Sequence, residues 1–201
     1  MKVAVLASGR GSNFQSILDA SERGKLPNCK IKLLIVNKKE AYAIKRAKKH
    51  NVPYYIIESK NKKRKEFDLE MLEILKSNQI EIVVLAGFMR ILSKQFISEY
   101  KDKIINIHPS LLPKFPGPHA HRDAIKAKVK ISGCTVHFVD EGVDTGPIIM
   151  QETVSVDKDD DERTLSEKIL PIEHKMYPKV LDLITSNKIK IINGKVITET
   201  D

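Results

Sequence analysis

The chain opens on an uninterrupted apolar run, Lys2–Ala7, rich in β-branched residues. That is the pattern of a strand buried on both faces. Comparable runs at Ile31–Val36, Pro53–Ile57 and Ile82–Ala86 predict three more strands. Between them the apolar spacing changes to the helical period. Helices are predicted from Phe14–Leu18 onward, over Ala41–Lys49 and over Lys65–Ser77, the last with Phe67, Met71, Ile74 and Leu75 on one core-facing stripe. The polar run Ser59–Lys65 reads as a solvated loop. Strands alternating with helices predict an α/β fold, a doubly wound and mostly parallel sheet joined by right-handed crossovers.

The second half changes period. Lys103–Ile105 leads into Asn106, Ile107 and His108, an alternation that puts Asn106 and His108 on one strand face. Pro109, Pro113 and Pro116 then forbid helix or central strand. A helix is expected over Arg122–Lys128. Strands are expected over Gly133–Val139 and Ile148–Val156, and the connection between them is too short for a helix, so this end of the sheet should be antiparallel. Thr164–Leu183 reads as a helix interrupted or started around Pro171. A hairpin turning on Asn193-Gly194 ends the pattern, with strands Ile189–Ile192 and Lys195–Thr198. The expectation is one domain over 1–201 with a Rossmann-like sheet.

Chemistry-bearing residues sit at strand ends, where open α/β sheets hold ligands. Asn106 offers a neutral N–H donor for a developing oxyanion, and His108 an acid that titrates near neutral pH. Asp144, in the loop Gly142–Pro147, could tune that imidazole. His137 reads as a structural residue of a strand interior. The turn Ser8–Asn13 joins a strand to a helix N-terminus, so it is either a cradle for one phosphate or a plain tight turn. Gly87 lets a ligand approach the central strand end. Phe88, Met89, Ile91 and Leu92 either line a slot for a flat ring or pack a following helix.

Composition narrows this picture. Hydrophobic residues make up 41% and charged residues 30%, an ordinary globular balance. No apolar stretch reaches membrane-spanning length and no signal pattern precedes the first strand, so a cytoplasmic, non-membrane protein is expected. Cys29 and Cys134 lack metal-type spacing and read as reduced and structural. The net charge of +9 comes without a nucleic-acid motif or aromatic platform. It reads as a lysine-rich surface suited to small anionic substrates rather than to nucleic acid.

Gly11-Ser12-Asn13, Gly87-Phe88-Met89-Arg90, the stretch Asn106–Pro113, and Asp144 with Thr145-Gly146-Pro147 together resemble the phosphoribosylglycinamide formyltransferase family. These are the folate-dependent transformylases of purine synthesis. The resemblance runs from residue 1 to about Tyr177. It implies transfer of a formyl group from 10-formyltetrahydrofolate to phosphoribosylglycinamide, with no metal, by a monomer or homodimer. It implies Asn106, His108 and Asp144 as catalytic residues, with Asp144 holding His108 protonated. Gly11, Ser12, Asn13 and Glu173 would bind the ribonucleotide. Arg64, Met89, Arg90, Ile91, Leu92, Asn106, Asp140, Glu141, Gly142, Val143 and Asp144 would border the folate. Residues 1–100 would form the ribonucleotide-phosphate half and 101–201 the catalytic and folate half. Leu170 departs from the polar or basic residue that relatives offer near the phosphate, and Pro118 stands in a loop that is mobile in the family. A formyltetrahydrofolate hydrolase or a methionyl-tRNA formyltransferase is a rival of the same chemistry. The resemblance implies an additional domain in both, for which a chain ending in this hairpin leaves no room. A non-catalytic nucleotide-binding module would leave Asn106, His108 and Asp144 without a purpose.

Overall fold

The computed structural model describes residues 1–58, 60 and 62–199. Ser59 and Asn61, within the predicted 59–65 loop, lie outside the described residues. The elements in chain order are β1 (Lys2–Ala7), α1 (Ser12–Glu22), β2 (Lys30–Val36), α2 (Ala43–Lys49), β3 (Tyr54–Ile56), α3 (Arg64–Ser77), β4 (Ile82–Leu85) and α4 (Lys94–Glu99). They continue as β5 (Ile104–His108), α5 (Ala120–Lys126), β6 (Ile131–Phe138), β7 (Ile148–Ser155), α6 (Glu162–Thr185), β8 (Ile189–Ile192) and β9 (Lys195–Thr198).

Seven strands form one sheet in the order β3-β2-β1-β4-β5-β6-β7. The first five are parallel, and β6 and β7 run antiparallel as their short connection requires. Its central strands β1, β4 and β5 are buried on both faces, while the edge strands β3 and β7 are partly exposed. Val3, Val5 and Ala7 of β1 face a core shared with α1, α2 and α6, while Ala4 and Leu6 face one built on α3 and α4. This is why the parallel strands read as continuous apolar runs rather than alternating ones. Crossovers leave β1 toward one side of the sheet and β4 toward the other. Their loops therefore diverge at the carboxyl edge, where a crevice opens. There the Ser8 N–H donates to the Gly87 carbonyl at 3.0 Å, and the Met89 N–H to Ser8 Oγ at 2.8 Å.

Two elements differ from expectation. α4 has six residues and one buried pair, Phe96 and Ile97, too few for a period to show in sequence; its start is marked by Ser93, whose Oγ accepts from the Phe96 N–H at 3.3 Å. α6 runs unbroken for 24 residues through Pro171 and Pro178. Each proline forfeits one backbone hydrogen bond. The apolar face Leu165, Ile169, Met176, Tyr177, Val180, Leu181 and Ile184 outweighs that loss by packing against the sheet. None of the helices is long and apolar enough to cross a membrane, among the described residues.

Tyr177 ties α6 to the sheet directly below the crevice. Its ring is fully buried, and its hydroxyl lies 2.8 Å from the Leu85 carbonyl and 3.1 Å from the Ile105 carbonyl, at β4 and β5. Tyr177→Phe keeps the packing but strands that polar contact. It should lower unfolding stability by about 1–2 kcal/mol in urea titration; an unchanged midpoint would show that the hydroxyl contributes only shape.

Candidate active site

The strand pairing assembles the site. Asn106 and His108 share a face at the end of β5. Antiparallel β6 sets His137 opposite Asn106 and Thr135 opposite His108. The following loop folds back at Gly146, where a Cβ would sit 1.9 Å from the Phe138 carbonyl oxygen, so only glycine fits. This return, with Asp144 itself in the left-handed region at φ 55°, carries Asp144 over the strand ends.

The Asp144 carboxylate is the hub. Oδ2 lies 3.3 Å from His108 Nδ1 and accepts from the Gly117 N–H at 2.8 Å. Oδ1 accepts from Asn106 Nδ2 at 3.4 Å and lies 3.6 Å from His137 Nε2. His137 Nδ1 meets the Phe138 carbonyl at 2.8 Å, which leaves Nε2 toward Asn106 Nδ2 at 3.3 Å. Nε2 of His108 donates to the Phe115 carbonyl at 2.8 Å. Burial by itself would raise the Asp144 carboxyl. The contact with His137, the Gly117 N–H and the nearby imidazoles outweigh that and bring it down to about 2. Asp144 is thus an anion throughout the neutral range.

His108 departs from expectation. Burial pushes its pKa below the ordinary value, and the neighbouring His137 imidazole adds to that. The Phe115 carbonyl and Asp144 push the other way without overcoming it. Asp144 favours the imidazolium, but in the unliganded cleft desolvation prevails, so Asp144 alone does not hold His108 protonated.

These groups form the floor of a cleft of about 530 Å³. Met89, Arg90, Ile91 and Leu92 line one wall and Asp140, Glu141, Gly142, Val143 and Asp144 the other. Met89 is 68% exposed and Ile91 55%, so these apolar side chains face the opening rather than packing α4, whereas Leu92 is buried. The Arg90 guanidinium stacks 4.5 Å over the Phe67 ring of α3. Glu141 of the cleft lining pairs with Lys94 at 2.7 Å. Arg64 starts α3 one turn before Phe67 and lies outside the cleft lining.

The turn before α1 lies outside that cleft lining, and Ser12 lines a separate hollow with Pro171 and His174 of α6. Gly11 sits at φ 64°, and a Cβ there would lie 2.7 Å from Ala43 Cβ, so glycine is required by both backbone and packing. As N-cap, Gly11 supplies no capping side chain, and the N–H groups of Ser12 and Asn13 open α1 as anion donors would. Asn13 Nδ2 donates to Glu173 Oε2 at 2.9 Å, joining the turn to α6. Asn13 Oδ1 is buried with no partner among the described residues. Burial pushes the Glu173 carboxyl up to about 7, against the Asn13 contact that lowers it. Leu170, one turn earlier on α6, is half-buried and brings no polar group.

The structure therefore gathers Asn106, His108 and Asp144 in one cluster, and Gly11, Ser12, Asn13 and Glu173 in another. Sequence reading missed His137 as a neighbour of Asp144. It also missed His121 on the cleft wall, and the Phe115 carbonyl and Gly117 N–H. Only His137 left a signal, since an antiparallel partner of β5 must set some side chain beside Asn106.

Glu173 makes the site pH-sensitive. Folded chains hold its proton up to about 7, while unfolded chains release it near 4.5. Its stabilising contribution is complete below 4.5 and is lost as pH rises toward 7, by up to about 3 kcal/mol. Glu173→Gln keeps the acceptor for Asn13 Nδ2 and offers a donor to its Oδ1. It should match wild type at pH 4.5 and melt higher at pH 8; equal melting temperatures at both would contradict the burial assigned to this carboxyl.

Residues 1–181 match the formyl transferase family. Among solved structures, glycinamide ribonucleotide transformylase 1 from Symbiobacterium toebii superimposes with a TM-score of 0.96 at 37% identity, covering 100% of this chain and 94% of that one. Phosphoribosylglycinamide formyltransferase from Anaplasma phagocytophilum gives 0.91 at 40% identity, covering 100% and 95%. The Homo sapiens trifunctional purine biosynthetic protein adenosine-3 is 44% identical over 197 residues, 97% of this chain but only 19% of that protein. The chain thus spans about a fifth of the human relative it matches. By coverage, identity and fold, the chain belongs to the formyl transferase family and, within it, to the phosphoribosylglycinamide formyltransferases.

Proposed function

We propose that this domain, residues 1–201, transfers the formyl group of 10-formyltetrahydrofolate to the amine of phosphoribosylglycinamide, in the cytoplasm, giving formylglycinamide ribonucleotide and tetrahydrofolate. The observation that carries the reading is the Asp144 carboxylate in reach of Asn106 and His108 on the floor of a cleft with an apolar rim. The pterin of the folate enters between Met89, Ile91 and Leu92 and the 140–144 loop. Arg90, whose guanidinium stacks on Phe67, lies toward its acidic tail, while Arg64 stays outside the cleft. Gly11, Ser12 and Asn13 take the 5′-phosphate at the N-terminus of α1. Glu173 meets the glycinamide end, where a cationic amine would draw its proton off. In this reading the phosphate end rests on residues 1–100 with Glu173, and the catalytic floor on 101–201, though Met89–Leu92 bring the first half into the folate wall.

The chemistry follows from these groups. The neutral amine places its lone pair on the formyl carbon, forming the C–N bond while the carbonyl π pair moves to oxygen. Asn106 Nδ2 donates to that oxyanion, and His108 in its imidazolium form adds a second donor. Collapse re-forms the C=O bond and breaks the bond to N10 of the folate, which leaves with the electron pair and needs a proton. The added nitrogen has one to lose. His108 beside Asp144 carries it from one nitrogen to the other and ends as it began. Asp144 stays ionised and stabilises the charged imidazole in between.

Both substrates in a steady-state assay test this. Tetrahydrofolate should form only when phosphoribosylglycinamide is present; formate release independent of the amine would point to a hydrolase instead. His108→Ala should lower kcat at least about a hundredfold with little change in folding, the scale of a lost acid. Retained turnover would remove His108 from the mechanism. Asp144→Asn should also cut kcat strongly and lower the His108 pKa further, because the opposite charge is gone. NMR titration of the ring reads that shift directly, and an unmoved pKa would assign Asp144 to loop structure alone.

A further inference from the structure

His108 stands between two groups that only accept hydrogen bonds. The Phe115 carbonyl is 2.8 Å from Nε2, and the Asp144 carboxylate is 3.3 Å from Nδ1. A neutral imidazole carries one N–H, so one of these acceptors must face a lone pair. The shorter contact decides which.

What holds the Phe115 carbonyl is therefore chemically consequential. Phe115 is in the left-handed region at φ 55°, a conformation its side chain does not favour and its surroundings must impose. Ser110 supplies one restraint. Its side chain is fully buried, and its Oγ donates to the Lys114 carbonyl at 2.6 Å, with the Phe115 carbonyl at 3.3 Å. The backbone of Ser110 is itself clamped. Thr135, opposite His108 in the sheet, donates from Oγ1 to the Ser110 carbonyl at 2.6 Å. Gln151 of β7 braces that hydroxyl at 2.8 Å and holds the Leu112 carbonyl at 2.9 Å. Two residues beyond Phe115, the Gly117 N–H donates to Asp144 Oδ2 at 2.8 Å. One short segment, 114–117, thus orients both His108 and its carboxylate.

Resting on the reading of His108 as the acid of formyl transfer, we propose that Ser110 is a positioning residue for it. By holding the Lys114 carbonyl, with a weaker reach to the Phe115 carbonyl beside it, it fixes the turn that keeps the proton of neutral His108 on Nε2, and so makes Nδ1 the nitrogen that exchanges a proton with the substrate. The geometry agrees with the direction of the chemistry. Nδ1 faces the same carboxylate that Asn106 Nδ2 reaches, so the proton-exchanging nitrogen and the oxyanion donor converge on one side of the ring. When the imidazolium gives up its Nδ1 proton, it returns to the tautomer the Phe115 carbonyl already stabilises, and the ring need not turn. In the opposite tautomer Nδ1–H would be tied to Asp144, and the Nε2 lone pair would oppose the Phe115 oxygen at 2.8 Å.

Long-range nitrogen–proton NMR correlation on histidine-labelled protein, above the titration of His108, reads the tautomer without any substrate. Wild type should show the proton on Nε2. Ser110→Ala should shift the ring toward a mixture of tautomers and lower kcat about tenfold, part of the usual contribution of a general acid, with KM for both substrates unchanged. A wild-type ring protonated on Nδ1 overturns the proposal whether or not the variant folds. A folded Ser110→Ala with the wild-type tautomer and wild-type kcat overturns it as well. Turnover retained by His108→Ala would instead sink the functional reading of the site, an outcome separate from a wrong tautomer.

Discussion

A single half-buried carboxylate constrains the rest of this site. Asp144 can remain an anion at the bottom of a cleft only because it is met from several sides by polar hydrogens and imidazoles; an unpaired charge there would neutralise itself by taking up a proton. The fold delivers those partners from separate places. Asn106 and His108 come from the end of β5, His137 from β6, and the Gly117 N–H from the loop after β5. The antiparallel turn of the sheet at β5–β6 is thus a functional requirement as well as an architectural one. A parallel neighbour would leave a helix crossover where the Asp144 loop now returns.

The turn before α1, proposed to hold the ribonucleotide phosphate, depends on a different kind of constraint. Gly11 is fixed by contact with Ala43, and Asn13 spans from the turn to Glu173 on α6. α6 is in turn held to the carbonyls of β4 and β5 by Tyr177. The turn before α1 and the Asn106–His108–Asp144 cluster are therefore tied to the same strand ends through α6 and short hydrogen bonds. A steric consequence is that a side chain at position 11 would disturb the α1–α2 contact as well as any phosphate, which makes Ser12 and Asn13 the cleaner positions at which to probe that end.

Most of the architecture was readable because it rests on local patterns: doubly buried strands as apolar runs, amphipathic helices by period, the terminal hairpin by Asn193-Gly194. The misreadings fall where tertiary contacts override local rules. Pro171 does not break α6 because the buried face of this 24-residue helix outweighs one missing hydrogen bond. α4 is too short to show a period. Asn106 and His108 were legible from alternation at a strand end, and Asp144 from its loop together with the family resemblance. His137 was not, because its role follows from register between β5 and β6, which the chain does not state locally. The net direction of the His108 pKa was not legible for a related reason: a sequence names the charged neighbour but not the depth of burial that opposes it. Backbone groups such as the Phe115 carbonyl carry no residue identity and leave no signature.

The central claim is that the formyl group reacts directly over Asn106, His108 and Asp144. A crystal structure with a non-transferring analogue of 10-formyltetrahydrofolate tests it most directly. The formyl oxygen should lie at about 3 Å, hydrogen-bonding distance, from Asn106 Nδ2 and within reach of His108 Nδ1. A formyl group directed away from this floor, with the analogue otherwise bound in the cleft, would contradict the account.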